Sequence, residues 1–324
     1  MNLERVLSGI CGAKVGILGD FCLDIYWKAD MKRSLLSRET PHYPLPVVEE
    51  RMSPGGAGNV AANASALGAS VKAIGIVGND WRGKALIESL ERSGIHTDSL
   101  ICADDRVTNT YIKPLRSGIS DVVYEDPRLD FENYDLPSAE TENAFLKALS
   151  TAAGDLDVLC VCDQMQYGAI TPRVRELVST LAQSGLPVFV DSRQRIALYE
   201  HCIVKPNDVE AEAATGLSDS GKAAAALAEK NGCPAIVTVG EYGCYVCDGV
   251  NIVRRPARHV EPPVDFVGAG DTFLSGLACA YAAGADIMDA AMFANVASSI
   301  TVKKIGTTGT ASPNEMRNAW RDIE

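Results

Sequence analysis

The sequence predicts an α/β protein with a mainly parallel sheet covered by helices on both faces, and three observations carry that reading. Short runs rich in Val, Ile and Leu alternate with longer segments of helical spacing, as strands buried on both faces require. Asp or Gly stands just past several of these runs, at the strand ends where such folds gather ligands. A glycine cluster, Gly268-Ala269-Gly270, opens an apolar helical stretch late in the chain. With 47% apolar residues over 324 positions, a large core in one unit spanning 1–324 is expected.

Taken in order, residues 14–18 form the first buried-strand run, which ends in Gly19-Asp20. Residues 71–77, 158–162, 187–190, 201–204 and 235–239 repeat the type, and Asp163, Asp191 and Gly240 fall just past three of them. Helical spacing fills 58–67, 83–93, 140–151, 172–184, 208–215 and 222–231. Two stretches break the alternation. Residues 25–50 carry three prolines and no helical period, and 110–125 read as a hairpin turning at Ser117-Gly118. Together they are expected to build a small sheet projecting from the main one, a cover that shields a reacting acceptor from water.

The glycine clusters carry the chemistry. Gly56-x-Gly58-x-x-Ala61 superficially matches a dinucleotide fingerprint, but the run before it is short and charged and Ser53-Pro54 intervenes. The better reading is that Gly55-Gly56 lets sugar hydroxyls approach the backbone while the Asn59 amide offers a donor and an acceptor. At Gly268-Ala269-Gly270 the helix N-terminus makes an anion site suited to phosphate. Asp271 is out of place there unless it takes a proton from a hydroxyl attacking that phosphate. The plainer alternative is a helix cap after a tight turn.

Charge and cysteine usage narrow the partners. A net charge of −12, from 30 basic and 42 acidic residues, argues against nucleic acid and anionic membranes, and leaves small metabolites. The longest uncharged apolar run, near 273–285, is too short to span a bilayer. Ten scattered cysteines with no leader before them read as free thiols in a reducing cytoplasm. Cys244-x-x-Cys247 has no second pair, which argues against zinc.

Gly19 to Asp24, Gly55-Gly56-x-x-Asn59, Asn207-x-x-Glu210, Thr238-x-Gly240 and Gly268-Ala269-Gly270-Asp271 follow the order and spacing of the ribokinase (PfkB-type) sugar kinases. The chain resembles that family from about residue 14 to 320. Within it, the chain is most similar to the branch acting on D-glycero-β-D-manno-heptose 7-phosphate, through Gly19 to Trp27, Pro46-Val47-Val48, 54–68, Arg128 to Glu132 and Phe293-Ala294-Asn295. In many bacteria that branch is fused to an adenylyltransferase, so the kinase half alone is expected here. Three segments depart from the family pattern: 37–44, Gln164 to Gly168, which lacks an expected lysine, and Asp191-Ser192-Arg193 in place of Asp-Pro-Lys.

The resemblance implies a ribokinase-like three-layer α/β/α fold with a small β-sheet lid from about 21–52 and 106–128. It implies ATP, Mg²⁺ and a monovalent cation such as K⁺, and a homodimer joined through the lid. Asp271 becomes the base and Gly268, Ala269 and Gly270 the anion hole. Asp24, Gly55, Gly56 and Asn59 would hold the acceptor, with Asp20 and Asp163 assisting; turn capping and a strand-end carboxylate are their alternatives. Lys205, Asn207, Thr238, Gly240 and Gly243 would line the nucleotide, with Asn295 near the adenine; Asn207 alternatively caps a helix, and Asn295 is alternatively a core polar group. Glu210 would orient Mg²⁺ through water. Asp265, six residues before the base, would bind K⁺ with main-chain carbonyls from 304–309.

The two cover segments are dense in cations: Lys28, Lys32, Arg33, Arg38 and His42, then Arg106, Lys113, Arg116 and Arg128. A buried dianion needs such partners, so an anionic acceptor is expected, a heptose 7-phosphate phosphorylated at O1, with Arg38 and Arg128 in contact. If these are solvated surface charges, a neutral sugar or nucleoside is the acceptor. A non-catalytic sugar sensor is the alternative of a different class.

Overall fold

A computed structural model describes residues 1–118, 120, 122–306 and 308–321. The strands are β1 (Lys14–Gly19), β2 (Phe21–Asp30), β3 (Val47–Gly56), β4 (Ser70–Gly78), β5 (His96–Ala103), β6 (Thr110–Ser117), β7 (Tyr124–Glu125), β8 (Leu129–Phe131), β9 (Val158–Asp163), β10 (Val188–Ser192), β11 (Ile203–Val204), β12 (Ala235–Thr238), β13 (Cys244–Cys247) and β14 (Ile252–Arg255). The helices are α1 (Leu3–Ile10), α2 (Ala57–Ala66), α3 (Trp81–Arg92), α4 (Ala139–Ala153), α5 (Pro172–Gln183), α6 (Asp208–Thr215), α7 (Ser220–Asn231), α8 (Ala269–Ala282), α9 (Ile287–Thr301) and α10 (Pro313–Arg321).

The main sheet runs β14-β13-β12-β11-β10-β9-β1-β4-β5 and is parallel from β12 to β5, with β13 and β14 added antiparallel at one edge. Side chains alternate across it, so neighbours in one strand enter different cores. Ile17, Cys160, Phe189 and Ile236 pack on one face with α1, α2, α8 and α9. Leu18, Val161, Val190 and Val237 pack on the other with α4, α5 and α7. Three layers result, as expected. The strand order reverses beside β1, which lies between β9 and β4, and Asp20, Asp163 and Asp191 crowd the strand ends there.

The stretches that broke the alternation form a second sheet in the order β3-β2-β6-β7, with β8 also on β6. β2 runs antiparallel to β3, from Phe21↔Gly56 to Ala29↔Val47, and parallel to β6. The anticipated hairpin forms, but with Arg116 opposite Tyr124 it does not close tightly at Ser117-Gly118; Ile119 and Asp121 lie outside the described residues. Residues 47–51 read from sequence as a short, charged run, unlike the strand that precedes a dinucleotide fingerprint. They pair along β2 at a sheet edge, where charged side chains are tolerated because one side faces water. Among the described residues no helix is long and apolar enough to cross a membrane.

Candidate active site

The N-terminus of α8 forms as the glycines demand. Gly268 caps it in the left-handed region at φ 78°, and the Ala269 N–H turns back to the Phe266 carbonyl at 3.1 Å. The Ala269 amide is therefore spent on the turn. The N–H groups of Gly270 and Asp271 have no partner among the described residues, and both residues line a cavity.

Asp271, in the first turn of α8, accepts a 3.1 Å hydrogen bond on Oδ2 from the Asn59 side-chain amide at the head of α2. The two helices are locked by neighbours. Asn63 Nδ2 donates to the Asn59 carbonyl at 2.9 Å, and Thr272 Oγ1 donates to Asn63 Oδ1 at 3.1 Å. Burial and the nearby Asp191 charge push the Asp271 carboxyl up to about 6, against the Asn59 amide, Lys205 and Arg193.

Asp271 faces a cavity of about 600 Å³. One group of its lining residues, Asp24, Gly56, Asn59, Tyr111, Lys113 and Arg128, comes from the small sheet, its margin and the head of α2. There Lys113 Nζ lies 3.5 Å from Asp24 Oδ1 and donates to the Tyr26 hydroxyl at 3.1 Å. Arg128 stacks over the Tyr111 ring at 4.3 Å and is held bidentately by Asp130 at 2.6 Å. Burial raises the Asp24 carboxyl, although Lys113 opposes it.

A second group, Asp191, Arg193, Lys205, Asn207, Glu210 and Thr238, comes from the ends of β10, β11 and β12 and the head of α6. Lys205 is buried with its Nζ 3.2 Å from Asp191. Burial, the largest effect, works to lower its pKa, but the Asp191 and Glu210 charges outweigh it and hold the ammonium above the ordinary lysine value. Asn207 and Glu210 form a capping box for α6, the Asn207 side chain accepting from the Glu210 N–H at 2.8 Å and Glu210 Oε2 from the Asn207 N–H at 2.9 Å. Asn207 thus caps its helix and also lines the cavity.

A second cavity of about 360 Å³ adjoins the first and shares Thr238, Gly240 and Gly270 with it. Its lining is largely apolar, from Val260, Val264, Phe273 and Val302, and includes Gly243 and Asn295. The Asn295 amide donates to the Arg255 and Pro256 carbonyls at 3.2 and 3.4 Å and touches Cys244 Sγ at 3.7 Å. Cys244 and Cys247 are buried in β13.

Several expected contacts fall elsewhere. Asp20 and Asp163 do not line either cavity. Asp20 turns behind the wall, where its carboxylate accepts from the N–H groups of Gln164, Met165 and Ala169, and burial pushes it up to about 6. Asp163 is consumed by Arg195, Ser192 and the Tyr199 hydroxyl. Gly55 also lies behind the lining, pressed against Cys22 and Asp24. Asp265 uses both carboxylate oxygens to tie the Val267 and Gly306 N–H groups, at 3.1 and 3.0 Å, and Thr307 beside it lies outside the described residues.

Of the cover-segment cations, only Lys113 and Arg128 line the cavity. Lys28 pairs with Glu49, Arg33 with Asp30 and Arg116 with Asp126, while Arg106 donates to the carbonyls of Asp135 and Tyr167. Arg38 stands exposed, away from both cavities, because the loop after β2 leads outward before β3 returns. Arg195 and Tyr199 were not anticipated at all: neither sits in a periodic segment, and their role depends on which strand end they meet.

Comparison with known proteins matches these features. Residues 23–314 fit the model of the pfkB family carbohydrate kinases. The chain is 33% identical over 333 residues to the bifunctional protein HldE of Pelobacter propionicus, covering 98% of the chain and 65% of the relative. It is 35% identical over 321 residues to HldE of Caulobacter vibrioides, covering 94% and 63%. The chain thus spans a little under two thirds of these relatives. Its fold is similar to phosphofructokinase-2 of Escherichia coli with fructose-6-phosphate, at TM-score 0.74 and 18% identity over 96% of this chain and 98% of that one. It is also similar to Arabidopsis thaliana ribokinase with ribose and ATP, at TM-score 0.67 and 19% identity over 95% and 98%. With the family model covering most of the chain and Asp271 standing over an open helix N-terminus, the chain belongs to the pfkB family of carbohydrate kinases, ATP-dependent sugar kinases.

Proposed function

We propose that this kinase transfers the γ-phosphoryl group of ATP to a hydroxyl of a phosphorylated sugar, in the first place O1 of a heptose 7-phosphate. The observation that carries the reading is the cavity over Asp271, whose lining combines Lys113 and Arg128 from the small-sheet side with Arg193 and Lys205 from the strand ends of the main sheet. Such an arrangement suits an acceptor with an anion far from its reacting hydroxyl, and a polyphosphate opposite it. Asp24, Gly56 and Asn59 hold acceptor hydroxyls. Asp271 takes the proton from the attacking hydroxyl while the N–H groups at the head of α8 hold the charge developing on the phosphoryl group. Lys205, Asn207, Thr238, Gly240 and Gly243 line the nucleotide, and its base enters the apolar cavity beside Asn295.

Mg²⁺ accompanies the nucleotide and neutralises its phosphates. Glu210 fits an outer, water-bridged position, since Oε1 has no partner among the described residues while Oε2 caps α6. Asp265 would be the carboxylate for a monovalent cation beside the anion site, since each of its oxygens keeps a lone pair beyond the N–H bond it accepts. ATP turnover is expected to fall when K⁺ is replaced by tetramethylammonium at equal ionic strength, and unchanged turnover would remove that cation. A second copy meeting this one through the small sheet, over the exposed Leu35, Leu36, Val47 and Val48, belongs to the same reading, as does a cytoplasmic setting where ATP is abundant.

The acceptor is tested by ATP turnover over a panel of free and phosphorylated sugars. Heptose 7-phosphate is expected to be preferred. Arg128→Ala removes a charge-assisted contact and should raise its KM by roughly ten- to a hundredfold, whereas Arg38→Ala should leave it unchanged. Preference for a neutral sugar, with Arg128→Ala harmless, would overturn the phosphosugar and leave the kinase.

A further inference from the structure

Residues 164–169 follow β9 in the connection to α5, and two of them, Gln164 and Met165, line the main cavity. Their backbone is held by charged side chains from three parts of the chain. Asp20, just past β1, accepts from the Gln164 and Met165 N–H groups on Oδ2, at 2.9 and 2.7 Å, and from the Ala169 N–H on Oδ1, at 2.7 Å. Arg195 donates to the Met165 carbonyl at 2.6 Å, and Arg106 to the Tyr167 carbonyl. Gly168 makes the fit possible, since a Cβ there would stand 2.0 Å from Asp20 Oδ1.

The same aspartate also reaches the opposite wall. Its backbone carbonyl accepts from the Ala57 N–H at 3.0 Å, at the head of the helix that carries Asn59 two residues on. One residue therefore sets the relative position of Gln164 on one side and Asn59 on the other. A loop serving stability alone has no need of three ionised groups on its main chain. Neutral turns satisfy such groups locally, and burying a carboxylate is costly without full pairing.

We infer that Asp20 is a positioning residue for the acceptor, holding residues 164–169 so that Gln164 and Met165 form a fixed wall facing Asn59. The Gln164 side-chain amide, which has no hydrogen-bond partner among the described residues, supplies a paired donor and acceptor to vicinal sugar hydroxyls. The Met165 thioether covers the apolar edge of the ring. This rests on the sugar-kinase reading but not on which sugar is used.

The test compares wild type with Gly168→Ala, Asp20→Asn and Gln164→Ala, varying ATP and, separately, the panel sugar that wild type phosphorylates fastest. Gly168→Ala drives the loop from Asp20 without altering charge. Asp20→Asn turns one acceptor oxygen into a donor facing N–H groups. Gly168→Ala and Asp20→Asn are expected to raise acceptor KM by roughly ten- to a hundredfold, the range of one lost charge-assisted contact, and Gln164→Ala by roughly two- to tenfold, the range of a neutral one, while ATP KM stays within about twofold. A merely structural role would lower kcat with the active fraction and leave both KM values in place, which would overturn the inference. Equal shifts in both KM values would overturn it too. Should Asp20→Asn fail to fold, Gln164→Ala changes only a cavity side chain, and an unmoved acceptor KM there is enough to overturn the wall. These failures leave wild-type turnover intact, whereas absence of sugar-dependent turnover in the wild type would remove the kinase reading and the inference together.

Discussion

Asp271→Asn is expected to lose about 10²–10⁴-fold in kcat, the range for removing a general base, with ATP affinity nearly intact. The amide keeps the shape and can still accept from Asn59 by turning its oxygen to the position Oδ2 holds, 3.1 Å from the donor. It cannot take a proton. The wild-type pH profile follows from the same group. Burial and Asp191 raise its carboxyl to about 6, so the active, ionised form accumulates as pH rises through about 6 and activity levels off above it. The stability effect has the opposite sign. A carboxyl raised in the folded state stabilises the fold fully only below its ordinary value of 3.8, and that contribution is lost as pH rises through about 6. Asp271→Asn never ionises, so above pH 6 it should unfold at no lower denaturant concentration than wild type. Steady-state kinetics and urea unfolding check both halves. A variant keeping more than half the wild-type kcat would show that another group is the base.

Arg195→Leu is expected to cost about 3–5 kcal/mol of stability, the range for stripping one partner from a buried ion pair. The Arg195 guanidinium lies along Asp163, with Nε 3.0 Å from Oδ2, and Asp163 is fully removed from water. Ser192 Oγ and the Tyr199 hydroxyl each donate to the same carboxylate at 2.9 Å, but neither carries charge. Leucine also abandons the Met165 carbonyl. Adding Asp163→Asn should recover part of the loss, because an amide can keep the Ser192 and Tyr199 bonds without an unpaired charge. Urea unfolding of the single and double variants measures this. A loss below about 1 kcal/mol, the value of an exposed pair, would mean that water reaches Asp163.

The parts of the site legible in sequence were those whose chemistry is local. Gly268 to Asp271 announce a helix N-terminus with a carboxylate in it because turn, cap and acid lie within four residues. Asn207-x-x-Glu210 is likewise a local pair, although its geometry is that of a capping box. The alternating strands and helices were legible because burial on both faces imposes a continuous apolar run. What sequence hid depends on remote partners. Asp20 and Asp163 look alike beside their strands, yet one serves a loop nearly 150 residues away and the other a guanidinium. The cations of the cover segments could not be sorted, since only the fold decides which meet an acid and which face the cavity. β5 escaped notice because its exposed positions, such as His96 and Asp98, interrupt the apolar pattern that an edge strand does not need.

The two groups of residues that line the main cavity come from different stretches of the polypeptide. The walls bearing Asp24, Asn59, Lys113, Arg128 and Gln164 all precede Met165, whereas Asp191, Lys205, Glu210, Thr238 and the head of α8 follow it. Asn59 and Asp271 join the halves through one side-chain hydrogen bond. In this reading, choice of cargo and supply of energy are encoded separately along the gene. A descendant can exchange its sugar by rewriting the earlier stretch and inherit the phosphate-handling apparatus untouched. The Asn59–Asp271 contact, beside the Thr272–Asn63 bond, is where the two stretches meet.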